Sequence, residues 1–281
     1  MLYFSDQELD ALILEDIPRG DLTSRTLNLS NQTATIEFRR KHAGPIAGLN
    51  VAVQMMTKLG LSPRVHGAEG EWVEEMALVL SARGRADQLH SAWKLVQVVL
   101  EWCGGVAQCT RAMVDTARAY QPHAQVACTR KSIPGTRKLA TAAVIAGGGT
   151  IHRSGLSDSL LIFTNHRNLL THPEGYRQMV DQARRHSPEH KLAIEADGPE
   201  QLPALLAADP DIIQLDKFTP AQVADALALK QQLGARCELS VAGGINPDTI
   251  AGYAKVGASL FITSAPYYAP PQDIKVVITA N

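Results

Sequence analysis

No apolar run in the sequence approaches the length of a transmembrane helix, which needs about 20 consecutive apolar residues. Strong charge imbalance is missing too: 27 Lys and Arg stand against 28 Asp and Glu, a formal net charge of −1. Nothing global therefore draws the chain to nucleic acid or to an anionic membrane. Cysteine is sparse. Cys103, Cys109, Cys128 and Cys237 form no CxxC pair, which argues against a zinc site or a disulfide framework. Reduced, mostly buried thiols in the cytosol are the expectation. The opening Met1-Leu2-Tyr3-Phe4-Ser5-Asp6 has no basic stretch before its first acid, so no signal peptide is expected.

What is present is ordinary for a globular protein: 281 residues, 45 % hydrophobic and 20 % charged. That leaves room for two modest domains, or one barrel with an appendage, and for a core built without staples. Residues 6–16 carry apolar positions at helical spacing and stop at Pro18 and Gly20. Residues 34–39 alternate as a strand, residues 44–48 read as a turn, and helices are predicted at about 50–59 and 89–107.

After about residue 120 the texture becomes short apolar runs alternating with helical stretches. Six strands are predicted, at 125–129, 160–164, 191–195, 212–216, 237–241 and 259–263. The helices predicted between them lie at 175–185, 201–208, 221–233 and 247–255. Strand-then-helix repetition argues for parallel strands in a barrel or an open doubly wound sheet. Residues with useful chemistry cluster at the carboxyl ends of nearly every strand, which favours the barrel.

The first strand leads to Thr129-Arg130-Lys131 and, past a Pro134-Gly135 turn, to Arg137-Lys138; His152-Arg153 and Asn165-His166-Arg167 follow. Between Arg130 and Arg167 there are six Lys or Arg and one acid, Asp158. Such a cationic zone suits carboxylate, phosphate or diphosphate. A solvated charged surface is the plainer reading, but these charges interleave with glycine and proline rather than lining one helix face. The third and fourth strands end in Glu195 and Asp216. Paired carboxylates facing a cationic zone suit Mg²⁺ bound to a diphosphate, although a strand-end Asp often merely caps the next helix. The fifth strand runs into Ala242-Gly243-Gly244, and the sixth ends at Thr263-Ser264. Paired glycines let backbone N–H groups approach a phosphate, and a helix opening near Pro247 would add its positive end; a plain tight turn is the alternative.

The run Thr129-Arg130-Lys131-Ser132-Ile133-Pro134-Gly135-Thr136-Arg137, with Gly147-Gly148-Gly149, His152-Arg153-Ser154-Gly155-Leu156 and Asn165-His166, resembles signature blocks of the quinolinate phosphoribosyltransferases, also called nicotinate-nucleotide pyrophosphorylases. Glu15-Asp16, Gly20-Asp21-Leu22-Thr23, the 43–48 turn, Ile194-Glu195, Leu215-Asp216 and Gly243-Gly244-Ile245 extend the resemblance over nearly the whole chain. His90-Ser91-Ala92-Trp93-Lys94 and the ending 263–269 are similar to one branch, the ModD-type proteins associated with molybdenum-transport genes. Nothing in the sequence resembles a molybdenum ligand set.

The resemblance implies an α/β fold: an N-terminal α/β sandwich domain over residues 1–108, to which 266–281 return, and an incomplete parallel α/β (TIM-like) barrel over 109–265. It implies a homodimer in which one subunit's N-domain covers the other's barrel, with Mg²⁺ as cofactor. The implied reaction is attack of an aromatic acid's ring nitrogen on C1 of phosphoribosyl pyrophosphate, with loss of pyrophosphate and, for quinolinate, of a ring carboxylate. Carried over by position, Arg130, Arg137, His152, Arg153 and Lys94 would serve the substrates. Lys131, Glu195 and Asp216 would serve the Mg²⁺–diphosphate and ribose, and Ala242, Gly243, Gly244 and Ser264 the 5′-phosphate.

Four departures concern the acid end more than the phosphate end. Lys94 stands where the family has a substrate-binding arginine, Phe163 and Thr141 where it has lysines, and Ser240 and Ala242 where it has Glu and Ser. Phe163 removes a carboxylate partner, which Lys138 or Arg167 would have to replace. Two further readings stand beside phosphoribosyl transfer. One is a barrel aldolase or isomerase using Lys131 or Lys217 as a Schiff-base amine. The other is a non-catalytic paralogue that binds phosphoribosyl pyrophosphate or an oxyanion.

Overall fold

The structure is a computed structural model describing residues 2–281. The chain divides into two compact units: Met1–Arg111 with Ile133–Gly148 and Tyr267–Asn281, and Ala112–Ser132 with Gly149–Pro266.

The first unit is built on a four-stranded antiparallel sheet ordered Ile274–Ala280, Thr33–Arg40, Leu78–Arg85, Ser62–Val65. Period-two alternation sends Ala34, Ile36 and Phe38 into the core from the second of these strands. Helix Leu49–Lys58 adds Ala52 and Met56 to the same cluster, and helix Ala86–Arg118 adds Leu89, Val96 and Leu100. The latter helix is 33 residues long, well beyond the 89–107 read from periodicity. It runs through Gly104-Gly105, where a Cβ on Gly105 would sit 2.3 Å from the Pro270 carbonyl oxygen. Close backbone approach, not chain termination, explains Gly105, while a Cβ on Gly104 would sit 2.9 Å from an Arg40 guanidinium nitrogen. Helix Arg137–Ala146 belongs to this unit as well; its Lys138 binds both carboxylate oxygens of Glu8 at 2.7 Å.

The second unit is a seven-stranded parallel sheet curled into a half-barrel, in the order Thr150–Ile151, Gln125–Cys128, Leu260–Thr263, Glu238–Ala242, Ile212–Asp216, Leu192–Ala196, Leu160–Ile162. The α/β fold expected from the sequence is the one observed. Six of the strands coincide with predicted runs. Thr150–Ile151 is only two residues long, too short to show a period. The helix expected at 247–255 is shorter, Ile250–Lys255. Among the described residues, no helix is long and apolar enough to cross a membrane.

Candidate active site

In a strand, alternate residues share a face. Glu195, Gln214, Asp216, Ala242 and Ile262 therefore point to the inside of the curled sheet, where they line a cavity of about 740 Å³ at the strands' carboxyl ends. The cavity has three chemically distinct parts.

The cationic part holds Arg130, Lys131, His152 and Arg153. Arg153 is 8 % exposed; burial, and then the neighbouring Arg130 charge, lower its guanidinium from the ordinary value. Two like charges this close are relieved by an anion. His152 was expected to face the acid as a further cation. Burial first, and Arg153 second, push its imidazole below the ordinary 6.5, so at neutral pH it serves as a neutral hydrogen-bonding group. Phe163 sits with its ring 5.9 Å from the Arg153 guanidinium carbon and stacked on His166 at 5.8 Å. Neither candidate replacement cation is at liberty. Arg167 is buried, donating to Tyr176 Oη at 2.9 Å and to Asp197 at 2.6 Å, and Lys138 is committed to Glu8.

The acidic part is Glu195 and Asp216. Burial, and next the Asp216 charge, push the Glu195 carboxyl up to about 7, while a hydrogen bond from Gln214 opposes the shift. That bond runs from Gln214 Nε2 to Glu195 Oε2 at 3.0 Å. Among the described residues no cluster of three or more His, Cys, Asp or Glu could cage a metal. Two mutually repelling carboxylates fit Mg²⁺ of the kind that completes its octahedron with substrate oxygens and water.

The third part is the turn Ala242-Gly243-Gly244-Ile245, with Ser264 and Ala265 opposite. Gly243 and Gly244 are left-handed, at φ +83° and +84°. Thr263 braces the turn: its hydroxyl donates to the Ile245 carbonyl at 2.6 Å and accepts the Ala265 N–H at 3.0 Å. The helix near Pro247 adds less than expected. It starts at Ile250, and Asn246 Oδ1 already accepts the N–H groups of Asp248 and Thr249.

The two glycines are not equivalent. A Cβ on Gly243 would lie 2.6 Å from Lys217 Cγ and 2.9 Å from Asp216 Oδ1, whereas one on Gly244 meets nothing within 4 Å. Gly244→Ala should cost only the left-handed backbone penalty, about 1–2 kcal/mol. Gly243→Ala should cost clearly more and displace Asp216. Equal melting temperatures for the two variants would contradict this.

Of the residues singled out from the sequence, Arg130, Lys131, His152, Arg153, Phe163, Glu195, Asp216, Ala242, Gly243, Gly244 and Ser264 all line this one cavity. Lys94 and Arg137 belong to the other unit; the Lys94 amine lies 3.0 Å from Gln97 Oε1 and 4.7 Å from the Trp93 ring centre. Sequence reading missed Gln214, although its position two residues before Asp216 puts it on the same face. Lys217 lines the rim with its side chain 81 % exposed and 3.5 Å from Asp216. It lacks the desolvation that a Schiff-base amine needs.

Comparison with known families decides the assignment. Residues 21–104 match the family model described as quinolinate phosphoribosyl transferase, N-terminal domain, and residues 106–277 match its C-terminal counterpart. The chain belongs to the quinolinate phosphoribosyltransferase family. It is 57 % identical over 278 residues to a Pasteurella multocida protein provisionally named pyrophosphorylase ModD, covering 99 % of each chain. It is 28 % identical over 274 residues to a Methanothermobacter thermautotrophicus protein provisionally named nicotinate-nucleotide pyrophosphorylase (carboxylating), covering 95 % of this chain and 96 % of that one. NadC from Streptococcus pyogenes superposes with a TM-score of 0.89 over 100 % of both chains at 23 % identity, a likeness of fold.

Proposed function

We propose that the protein transfers the phosphoribosyl group of phosphoribosyl pyrophosphate to the ring nitrogen of an aromatic acid. One observation carries the reading: a single cavity presents cations, a carboxylate pair and a glycine turn side by side. The glycine turn and Ser264 would hold the 5′-phosphate through backbone N–H groups and the hydroxyl. Glu195 and Asp216 would hold Mg²⁺, which when bound neutralises charge on the diphosphate. Lys131 would face the same oxygens. Arg130 and Arg153 would orient the acid's carboxylate, with neutral His152 as hydrogen-bonding neighbour. As the nitrogen lone pair forms the new bond to C1, the C1–oxygen bond breaks and pyrophosphate departs with that electron pair. The carboxylates would then offset positive charge developing on the ribose. The missing cation at Phe163 points to an acid with one carboxylate in preference to two.

Incubating the protein with phosphoribosyl pyrophosphate, Mg²⁺ and either nicotinate or quinolinate tests this directly. Acid-dependent mononucleotide and pyrophosphate are the expected products. Tight binding of phosphoribosyl pyrophosphate without turnover on any aromatic acid would instead favour the non-catalytic reading. A cytosolic setting fits the buried thiols Cys103 and Cys237; burial pushes both up from the ordinary value, which makes them unreactive.

The active assembly we propose is a homodimer with shared sites, because Lys94 occupies the position of a residue that the family contributes across its interface. Lys94→Ala and Asp216→Asn subunits, each inactive alone, should regain partial turnover when mixed. A strictly monomeric, active protein would contradict this.

A further inference from the structure

The interior of the half-barrel is unusually polar. Barrel interiors are ordinarily filled by branched aliphatic side chains. Here Gln214 and Ser240 face each other in register on adjacent strands, 4 % and 0 % exposed. Gln214 is also in register with Glu195 on its other side. The carboxylate that a bound cation would favour only accepts hydrogen bonds, and the Gln214 amide turns its NH₂ toward Glu195 Oε2 at 3.0 Å. Its carbonyl oxygen is thereby turned away and has no hydrogen-bond partner within the protein; neither has Ser240 Oγ. Ser240 in turn lines a second cavity of about 490 Å³ at the amino-terminal end of the strands, with Gln125, Thr150 and Ser259 among its walls. Two buried polar atoms left unmatched are destabilising, and a polar space of this size has ample room for water, which occupies about 30 Å³ in the liquid.

We propose that Gln214 is a positioning residue that fixes Glu195 toward the diphosphate-bound cation, and that a water molecule bridging Gln214 Oε1 and Ser240 Oγ locks its amide in place. The proposal rests on Glu195 serving the metal end of the cavity. Gln214 itself makes no bond to substrate. Its effect passes through the carboxylate, as partners behind metal ligands commonly act. Ser240 acts one step further back, holding the amide through the water.

The test is a double-mutant cycle on Mn²⁺–pyrophosphate binding, read by calorimetry on the full-length protein. Gln214→Met keeps the length and bulk of the side chain but removes both hydrogen bonds. It should weaken binding roughly tenfold or more, and by far less in a Glu195→Gln background, because the two residues act as one unit. Ser240→Ala should weaken binding by a smaller factor, and a crystal structure of the wild type should contain the bridging water. Where turnover is measurable, Gln214→Met should raise KM for phosphoribosyl pyrophosphate about as much as it weakens Mn²⁺–pyrophosphate, because the same cation would hold the diphosphate of both, and kcat/KM should fall with it. Wild-type affinity in Gln214→Met, or an equal loss with and without Glu195, overturns the positioning role. A direct Ser240–Gln214 bond with no water overturns the bridge. A wild type that binds Mn²⁺–pyrophosphate but transfers no phosphoribosyl group would defeat the functional reading alone, because the binding cycle still decides the role of Gln214.

Discussion

Glu195→Gln is expected to lower turnover at least about a hundredfold, the scale of losing one preorganised electrostatic contact, while making the metal-free protein more heat-stable above pH 7. The second half follows from linkage. The folded carboxyl is held at about 7 against an ordinary 4.5, chiefly by burial and then by Asp216. Between those values the folded protein keeps a proton that the unfolded chain has released. Stability therefore falls as pH rises across that window, and the full penalty is present above it. Glutamine carries no such penalty. Thermal melts at pH 8 without metal should place Glu195→Gln above wild type, and the two should converge near pH 4. Mg²⁺ with pyrophosphate should reverse the order at pH 8 by binding only the folded wild type well. Asp216→Asn should also lose turnover. Near-normal turnover of both variants at limiting Mg²⁺ would remove the assignment, and a Glu195→Gln melt below wild type at pH 8 would show that the carboxylate is satisfied as it stands.

Phe163→Lys is the second large change, and it should move specificity rather than overall fitness. A charge-assisted hydrogen bond to a second carboxylate is worth about 1.5–3 kcal/mol, or roughly ten- to 150-fold in affinity. Neither candidate substitute is placed to make that bond. Arg167 is turned into the Tyr176–Asp197 network and Lys138 is held by Glu8. Phe163 instead offers its ring to Arg153 and His166. A lysine there would repel Arg153 until an acid with two carboxylates arrived between them. The ratio of quinolinate to nicotinate kcat/KM should rise about tenfold or more, with the affinity for phosphoribosyl pyrophosphate nearly unchanged because the glycine turn is untouched. If that ratio stays level or falls, the missing-charge account of the pocket is wrong.

Much of this site was legible in the chain because strand-end chemistry follows from short-range order. The apolar runs before Arg130, Glu195, Asp216 and Gly243 are strands, parallel strands present their carboxyl ends together, and the charges and glycines just beyond them had to meet. The same local logic placed the Thr33–Arg40 alternation and, from its own spacing, the helix over Asp6–Asp16. It also supplied the resemblance to quinolinate phosphoribosyltransferases, whose blocks are contiguous residues.

What the chain could not reveal depends on partners distant in sequence. Arg167 reads as one more cation of the binding zone; packing against Tyr176 and Asp197 makes it a structural residue instead. His152 reads as a charge, yet burial beside Arg153 keeps it neutral. The helix read from periodicity over 89–107 extends over Ala86–Arg118, and the nearness of the Pro270 carbonyl is what requires glycine at position 105 within it. The orientation of the Gln214 amide is set by Glu195, 19 residues earlier in the chain. Local sequence determined which residues stand at the mouth of the half-barrel. Tertiary structure alone decided which of them carry charge into it, because burial and neighbouring charge, not residue type, set protonation and pairing.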